Sequence, residues 1–223
     1  MDSTQESERY IAAIESAGEK LANAVTHGLG LALSLLGFSI LVINALAYTD
    51  YVRVISVLIY GLSLCSLFLA STLYHSVRSS RARRTFQIID HCAIYWLIAG
   101  TYTPILLVGI QGELGHFLLL FIWTLALLGT FFKVFFWHQL QKLSLWLYIS
   151  MGWLALAIAY PLIHALTLNS LLFLSVGGFI YTLGIWFFNR DHIPYNHATW
   201  HVFVLAGSFC HFIAIYQCVV PYS

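Results

Sequence analysis

The sequence predicts an all-α integral membrane protein: a seven-transmembrane helix bundle with a cytoplasmic N-terminus and a C-terminus outside. Three observations support this fold class. Apolar residues make up 60% of the chain and charged residues only 9%, whereas a soluble domain is nearer half apolar and a quarter charged. Seven apolar stretches follow one another along the chain, and the basic residues between them fall almost entirely on one side of the predicted membrane.

The seven apolar stretches are each close to the roughly 20 residues that a helix needs to cross a bilayer. Because backbone polar groups cannot go unpaired in lipid, we expect each stretch to be a helix. Pro104 and Pro161 fall inside the third and fifth stretches, where a kink is tolerated. The stretches lie at about 28–48, 54–77, 88–110, 116–136, 143–165, 169–189 and 197–220.

The basic residues between the stretches set the predicted orientation. With the N-terminus inside, nine lysines and arginines are cytoplasmic and only Arg53 is outside. Such an excess of positive charge is typical of the cytoplasmic side of a membrane protein, and an odd number of spans then places the C-terminus outside. The nine cytoplasmic residues are Arg9, Lys20, Arg78, Arg81, Arg83, Arg84, Lys133, Lys142 and Arg190.

The first 26 residues are polar and charged and precede the first apolar stretch. They show no cleavable signal peptide, so we expect the first apolar helix to insert the chain. Ile11, Ile14 and Leu21 recur at helical spacing, which indicates a short amphipathic helix at the membrane surface. The predicted organisation is therefore a cytoplasmic segment, 1–26, followed by a seven-transmembrane domain, 27–223.

Composition also bears on the expected partners. The formal net charge of +1 gives no indication of nucleic-acid binding, so the expected partner is the lipid bilayer, with a lipid as a candidate substrate or ligand. The four cysteines form no CxxC pair and lie in or at the edge of apolar stretches, so we expect neither a disulfide framework nor a redox centre. The oligomeric state stays open.

Polar residues collect at the cytoplasmic ends of the predicted spans. The second span ends there with Ser71 and His75, which are four apart and so share one helix face. The third begins with Asp90, and the seventh begins with His197 and His201, also four apart. All these groups are therefore expected at one membrane depth. The segment leading into the first span adds a further polar cluster at four-residue steps, formed by Glu19, Asn23 and His27.

His75, His197 and His201 together predict a zinc site. Two imidazoles one helical turn apart can hold one metal ion, and a third from another helix would leave the fourth position for water. Asp90 could hold that water and take its proton. Ser71 could hydrogen-bond the water or a developing oxyanion.

Each of these residues alone also has a purely structural interpretation. A single histidine at a membrane edge is often an interfacial residue, and Asp90 could pair with Arg83 or Arg84. Ser71 could hydrogen-bond its own helix backbone. Ionisable residues within spans are nevertheless costly and often functional, and the coincidence at one depth favours a site.

Five short motifs in the chain match a known family in the same order. They are Glu19-xxx-Asn23-xxx-His27-Gly28, Ser71-Thr72-Leu73-Tyr74-His75, Asp90-His91-Cys92-Ala93-Ile94-Tyr95, Ala99-Gly100-Thr101-Tyr102-Thr103-Pro104 and His197-Ala198-Thr199-Trp200-His201. Through them the chain resembles the hemolysin III family, the bacterial branch of the progestin and adipoQ receptor family, from about residue 16 to the C-terminus. The resemblance implies a seven-helix fold in the bacterial plasma (inner) membrane. It also implies zinc held by His75, His197 and His201, with Ser71 and Asp90 as the family's serine and aspartate.

The resemblance leaves three functions open. A wider superfamily with the same serine, aspartate and histidine set includes alkaline ceramidases, which implies a zinc-dependent hydrolase of a lipid amide or ester, with Asp90 as general base. A non-enzymatic membrane sensor or regulator would instead use zinc as a structural clamp between the second and seventh spans. The family name implies the third, a pore-forming, cytolysin-like protein.

Overall fold

The computed structural model of the protein describes residues 16–136, 141–190 and 192–220. Within these ranges the chain is helical apart from short connections and contains no β-strand, which confirms the predicted all-α class. The elements in chain order are α1 (Ala17–Leu46), α2 (Tyr51–Ser76), α3 (Ser80–Pro104), a π-helical turn (Ile105–Ile110), α4 (Gly112–Phe135), α5 (Gln141–Gly152), α6 (Leu154–Ala157), α7 (Ala159–Ala165), α8 (Leu168–Phe188) and α9 (Asn196–Val219).

Six helices of the described chain are long and apolar enough to cross a membrane. They are α1, α2, α3 together with its π-helical turn, α4, α8 and α9. The chain is therefore a multi-pass membrane protein. The count of seven spans and the orientation of the termini stay predictions, because the fifth predicted stretch, 143–165, is not one continuous helix.

The stretch from 141 to 165 consists of three short helices, α5, α6 and α7, with 12, 4 and 7 residues. The break at Trp153 leaves backbone groups that a continuous helix would pair. The Tyr102 hydroxyl of α3 donates to the Gly152 carbonyl at 3.1 Å and accepts from the Ala155 amide at 2.8 Å. A side chain from the core thus takes the place of helix hydrogen bonds at this break.

Pro104 ends the regular part of the third predicted span. Proline has no amide hydrogen and cannot complete the helical hydrogen-bond pattern, and the chain continues as the π-helical turn Ile105–Ile110. Gly112 then adopts a left-handed φ of 64°, which glycine accommodates without strain. The Trp123 indole of α4 donates to the Thr103 hydroxyl at 3.1 Å, which ties α4 to α3 beside this turn.

Helices α1 and α2 approach each other closely through glycines. A Cβ added at Gly30 would lie 2.5 Å from the Phe68 ring, and one at Gly61 would lie 2.0 Å from the Phe38 ring. Because a real Cβ does not come so close, each glycine lets a phenylalanine of the facing helix reach the backbone. The start of α1 and the end of α2 are thereby held side by side at one end of the bundle.

The start of α1 lies near the predicted boundary between the cytoplasmic segment and the membrane domain. Ser16 is the N-cap, and the helix runs without a break past residues 26 and 27. Of the residues on which the predicted amphipathic helix rests, Ile11 and Ile14 lie outside the described residues and Leu21 lies in α1, so this helix stays a prediction. The division of the chain at that boundary stays a prediction.

The outer surface of the bundle carries large apolar side chains. On α1, Leu36 and Ile43 are 61% and 69% exposed, and Leu120 of α4 is 70% exposed. In water a surface of this kind would drive association. Facing lipid chains, it needs no further partner, which fits the membrane assignment.

Candidate metal centre

The three predicted metal ligands meet at one end of the bundle. His75 lies in the last turn of α2, and His197 and His201 lie in the first two turns of α9. One ligand nitrogen from each ring lies within 4.8 Å of the other two. The ring centroid of His75 is 5.1 Å from that of either α9 histidine, and the α9 centroids are 4.6 Å apart. The fold therefore brings together side chains that are far apart in the sequence in a group that could hold one metal ion.

The local sequence explains why the α9 pair converges. Residues four apart lie on one helix face. Tyr195 precedes the helix in a left-handed conformation, with φ 57° and ψ 23°, and its carbonyl accepts from the Thr199 amide at 2.9 Å. The helix therefore begins at Asn196, and His197 lies in its first turn.

The histidine cluster is shielded from solvent. Only 6% of His75 and 2% of His201 is exposed, and His197 is partly buried. Neutral imidazole nitrogens are good ligands for divalent transition metals. The chemistry of the three side chains and their convergence both fit such an ion.

A hydroxyl of α1 orients the His201 ring. Thr26 Oγ1 lies 3.3 Å from His201 Nδ1. The same hydroxyl lies 2.8 and 3.0 Å from the Ala22 and Asn23 carbonyls, to which it can donate its proton. In that arrangement the hydroxyl oxygen accepts from a protonated Nδ1, which leaves the lone pair of Nε2 for a metal.

His27 adds a fourth imidazole to the cluster. Its ring stacks on His201 with centroids 3.5 Å apart and an interplanar angle of 16°, and it meets Phe68 edge-on at 5.1 Å. Both ring nitrogens of His27 are buried without a hydrogen-bond partner in the described structure. These unsatisfied nitrogens lie beside three converging ligand atoms, as is expected at a site that binds a polar ligand or an ion.

Ser71 and Asp90, the two predicted catalytic residues, lie beside the cluster. Ser71 is fully buried one helical turn before His75. Its hydroxyl lies close to the Asp90 carboxylate of α3, yet it has no hydrogen-bond partner of normal geometry among the described residues. A buried hydroxyl next to a carboxylate could donate to an entering ligand, which is the role the sequence predicts.

A cavity of about 410 Å³ extends from this cluster into the bundle. Ser71, Asp90 and the α9 histidines line one end, and most of the remaining wall is aliphatic or aromatic and comes from α3 and α5 to α9. His211 also lines it, ten residues beyond His201 on α9, or roughly 15 Å along the helix. The cavity therefore joins a polar end to an apolar interior.

Lys133, which the charge pattern predicts only as a cytoplasmic residue, lines the cavity. It lies on α4 with 3% of its surface exposed, and it faces Asp90 and Cys92 from the cavity wall. A signal was present in the sequence, because the lysine interrupts the apolar run 131–136. A charge embedded in such a run is expected to point into a protein interior.

Two other histidines also line the cavity. His91 follows Asp90 by one residue on α3, and its Nδ1 lies 2.7 Å from the Gln87 carbonyl. His211 packs against α8, with its Nε2 3.1 Å from the Leu174 carbonyl.

Glu19 and Asn23, the other predicted polar residues of α1, also lie next to α9. Asn23 is fully buried, and its carbonyl faces the His201 ring. The Glu19 carboxylate accepts from the Tyr195 amide at 3.0 Å. The polar cluster of α1 predicted from the sequence is therefore in contact with the helix that carries two of the histidines.

Comparison with known proteins finds similarity over most of the chain. A family model described as Haemolysin-III related matches residues 16–212. Hemolysin-3 of Bacillus cereus is 44% identical over 203 residues, covering 91% of this chain and 93% of that protein. Hemolysin-3 homolog of Bacillus subtilis is 43% identical over 206 residues, with 92% and 97% covered. Monocyte to macrophage differentiation factor of Homo sapiens is 34% identical over 209 residues, with 89% and 84% covered.

The role of the Thr26 hydroxyl can be tested by substitution. Thr26→Val removes the acceptor that orients His201, so we expect affinity for a divalent metal to fall about 10-fold. Thr124→Val is the matched control, because Thr124 makes the same hydroxyl bond to its own helix, to the Leu120 carbonyl at 2.7 Å, on an exposed face of α4. Affinity is measured by competition with a chromophoric chelator in detergent. Equal affinity in the two variants would contradict the assigned role.

Proposed function

Because the chain belongs to the haemolysin III-related family, we propose that it is a membrane-embedded, zinc-dependent hydrolase of a lipid amide or ester. The similarity to the human protein confirms the predicted link to the progestin and adipoQ receptor family. One observation carries the proposal: three converging histidines lie beside Asp90 and Ser71 at the polar end of an apolar cavity.

Zinc suits the histidine cluster. Catalytic zinc sites use three protein ligands and keep a fourth position open, and neutral imidazole is among the preferred ligands. His75, His197 and His201 would supply the three, with His201 binding through Nε2 as the Thr26 contact favours. Bound zinc supplies an activated water by lowering the pKa of that water towards neutrality.

Asp90 and Ser71 would carry the protein's part of the reaction. Asp90 takes a proton from the water as the water oxygen adds to the carbonyl carbon of the lipid. It then gives this proton to the departing nitrogen or oxygen as the carbon–nitrogen or carbon–oxygen bond breaks. Ser71 donates a hydrogen bond to the oxyanion that forms in between. The products are a carboxylic acid and an amine or alcohol.

The cavity supports a lipid as the substrate class. Its volume of about 410 Å³ lies within the range of roughly 300–1,000 Å³ typical of small-molecule pockets. Its apolar wall suits a hydrocarbon chain, and its polar end suits the bond to be cleaved. Lys133 places a positive charge opposite Asp90 at that end, where it can balance the charge of the carboxylate.

Two alternatives each have one supporting observation. The histidines join the end of α2 to the start of α9, so zinc could act only as a structural clamp in a sensor or regulator. The name of the Bacillus cereus relative, Hemolysin-3, favours a pore-forming, cytolysin-like protein. Apart from His211, the histidines and charged side chains that line the described cavity lie at one end of the bundle, which supports hydrolysis over a pore.

We also propose seven spans in a bacterial plasma (inner) membrane, with the N-terminus cytoplasmic and the C-terminus outside. The end of α4 lies at the end of the bundle that carries the histidine cluster, where Lys133 faces Asp90. The start of α8 lies at the opposite end, where Ser170 donates to Gln217 near the end of α9. The intervening chain, including α5, α6 and α7, has to connect the two ends of the bundle, which supports a seventh, broken crossing.

The proposed topology predicts the sides reached by two connections. A phosphatase that is active only outside the cytoplasm should be active when fused after residue 166 and inactive when fused after residue 136, because a crossing separates the two. A fluorescent protein that matures only in the cytoplasm should show the reverse pattern. Equal activity of the phosphatase at both positions would contradict a crossing between them.

The proposed zinc site predicts the metal content of the purified protein. Wild type in mild detergent should carry about one zinc per chain, and the double variant His197→Ala/His201→Ala should carry none. His116→Ala/His164→Ala is the control, because both of these histidines are exposed and lie away from the cluster. Elemental analysis per folded chain is the measurement. Well-folded wild type without metal would exclude the zinc mechanism.

The proposed reaction predicts that Asp90→Asn abolishes turnover and keeps zinc. Removing a general base lowers the rate about 10²- to 10⁴-fold, and the substitution leaves the three histidines unchanged. Turnover is measured as fatty acid released from a panel of lipid amides and esters.

Asp50→Asn is the matched control for this change. Asp50 caps α2 at the end opposite His75, and asparagine caps helices equally well. Wild-type turnover in Asp90→Asn would refute the assigned base. If Asp90→Asn then had no effect while His75→Ala lowered the unfolding temperature sharply, the structural clamp would be favoured.

A further inference from the structure

We propose that Glu19 is a positioning residue for the metal centre: its carboxylate ties the start of α1 to the start of α9 and thereby holds His197 in place. The inference rests on the proposed metal function and deepens it. Glu19 belongs to the polar cluster of α1 that the proposed reaction does not use. Its contact with the Tyr195 amide precedes His197 by two residues, so we assign it an indirect effect through the backbone of α9.

Both oxygens of the Glu19 carboxylate are engaged. Oε2 accepts from the Ser16 amide at 2.8 Å, while the Ser16 hydroxyl accepts from the Glu19 amide at 3.1 Å. These two bonds form a capping box at the start of α1. Oε1 accepts from the Tyr195 amide at 3.0 Å, 176 residues away in the sequence. One side chain therefore caps one helix and holds the start of another.

The start of α9 has few local features of its own to fix it. Tyr195 adopts a left-handed conformation that non-glycine residues rarely take, and α9 has no side-chain cap. The carboxylate of Glu19 satisfies the Tyr195 amide and places negative charge at the positive end of the helix dipole. Since His197 follows Tyr195 by two residues, the position of its ring depends on this contact.

A second contact between the same two segments points to the same role. A Cβ added at Gly18 would lie 2.7 Å from the Tyr195 hydroxyl oxygen. The Tyr195 side chain therefore packs onto the first turn of α1 at a position where a larger residue would push it away. Helix α1 therefore contacts both the backbone amide and the side chain of Tyr195 and fixes their positions.

Helix α1 supports both α9 histidines in this arrangement. Glu19 acts on His197 through the Tyr195 backbone, and Thr26, two helical turns further along α1, acts on the His201 ring. Residues that orient metal ligands typically change metal affinity 10- to 100-fold when they are substituted. The four-residue spacing of Glu19, Asn23 and His27 then has a structural reason, because it places all three residues on the face of α1 that contacts α9.

The test compares zinc affinity in Glu19→Gln with that in Ser16→Ala, by chelator competition on the full-length protein in detergent. Glutamine has one carbonyl oxygen, so it can serve the capping box or the Tyr195 amide but not both. Ser16→Ala removes the serine side of the capping box and keeps the Tyr195 contact. We expect zinc binding to weaken about 10- to 100-fold in Glu19→Gln and to stay near wild type in Ser16→Ala. Equal weakening in both variants would show that Glu19 acts only as a helix cap and would overturn the inference.

The contact between α1 and α9 can also be tested with a variant at Gly18 and with hydrogen exchange of the metal-free protein. Gly18→Ala displaces Tyr195 and should weaken zinc binding in the same direction as Glu19→Gln. Hydrogen exchange of the amides from 195 to 199 in metal-free protein should be faster in Glu19→Gln than in Ser16→Ala. Unchanged exchange would overturn the inference, whether or not wild type binds zinc. Absence of zinc from wild type together with faster exchange would refute the proposed function and leave the contact between the helices established.

Discussion

A polar group buried at membrane depth has to find its partner within the protein, and this requirement shapes the structure. At the break after α5 the partner is the Tyr102 hydroxyl. At His201 it is a threonine of the facing helix. The nitrogens of His27 and the hydroxyl of Ser71 lack such partners within the described ranges, and both lie at the histidine cluster. Satisfied groups hold the scaffold together, and the unsatisfied atoms of His27 and Ser71 lie where a ligand could enter.

Much of the fold could be predicted because the bilayer limits the choices. Apolar stretches of spanning length have to be helical, and six of the seven appear as long helices in the described chain. The break of the stretch 143–165 could not be predicted, because it depends on Tyr102, a residue about 50 positions earlier in the sequence. Sequence periodicity reports which residues share a helix face, but it does not report a tertiary hydrogen bond that replaces a helical one.

The convergence of His75, His197 and His201 could be predicted from two simple facts, the i,i+4 spacing and a common depth in the membrane. The burial of Lys133 does not follow from the distribution of positive charge, which indicates only the cytoplasmic side, although its apolar neighbours mark it as an interior charge. The contact of Glu19 with the Tyr195 amide was not predictable, since a backbone donor leaves no trace in the amino-acid pattern.

The broken stretch has a consequence for how the protein is made. The chain is synthesised from its N-terminus, so α3 with its Tyr102 hydroxyl leaves the ribosome before α5, α6 and α7. The partner for the Gly152 carbonyl and the Ala155 amide is thus already available when these groups arrive. In a circular permutation that placed residues 141–165 ahead of α3, the Gly152 carbonyl and the Ala155 amide would meet lipid before Tyr102 was available. Unpaired backbone groups are costly in lipid. The order of the helices along the chain therefore matters for insertion as well as for packing.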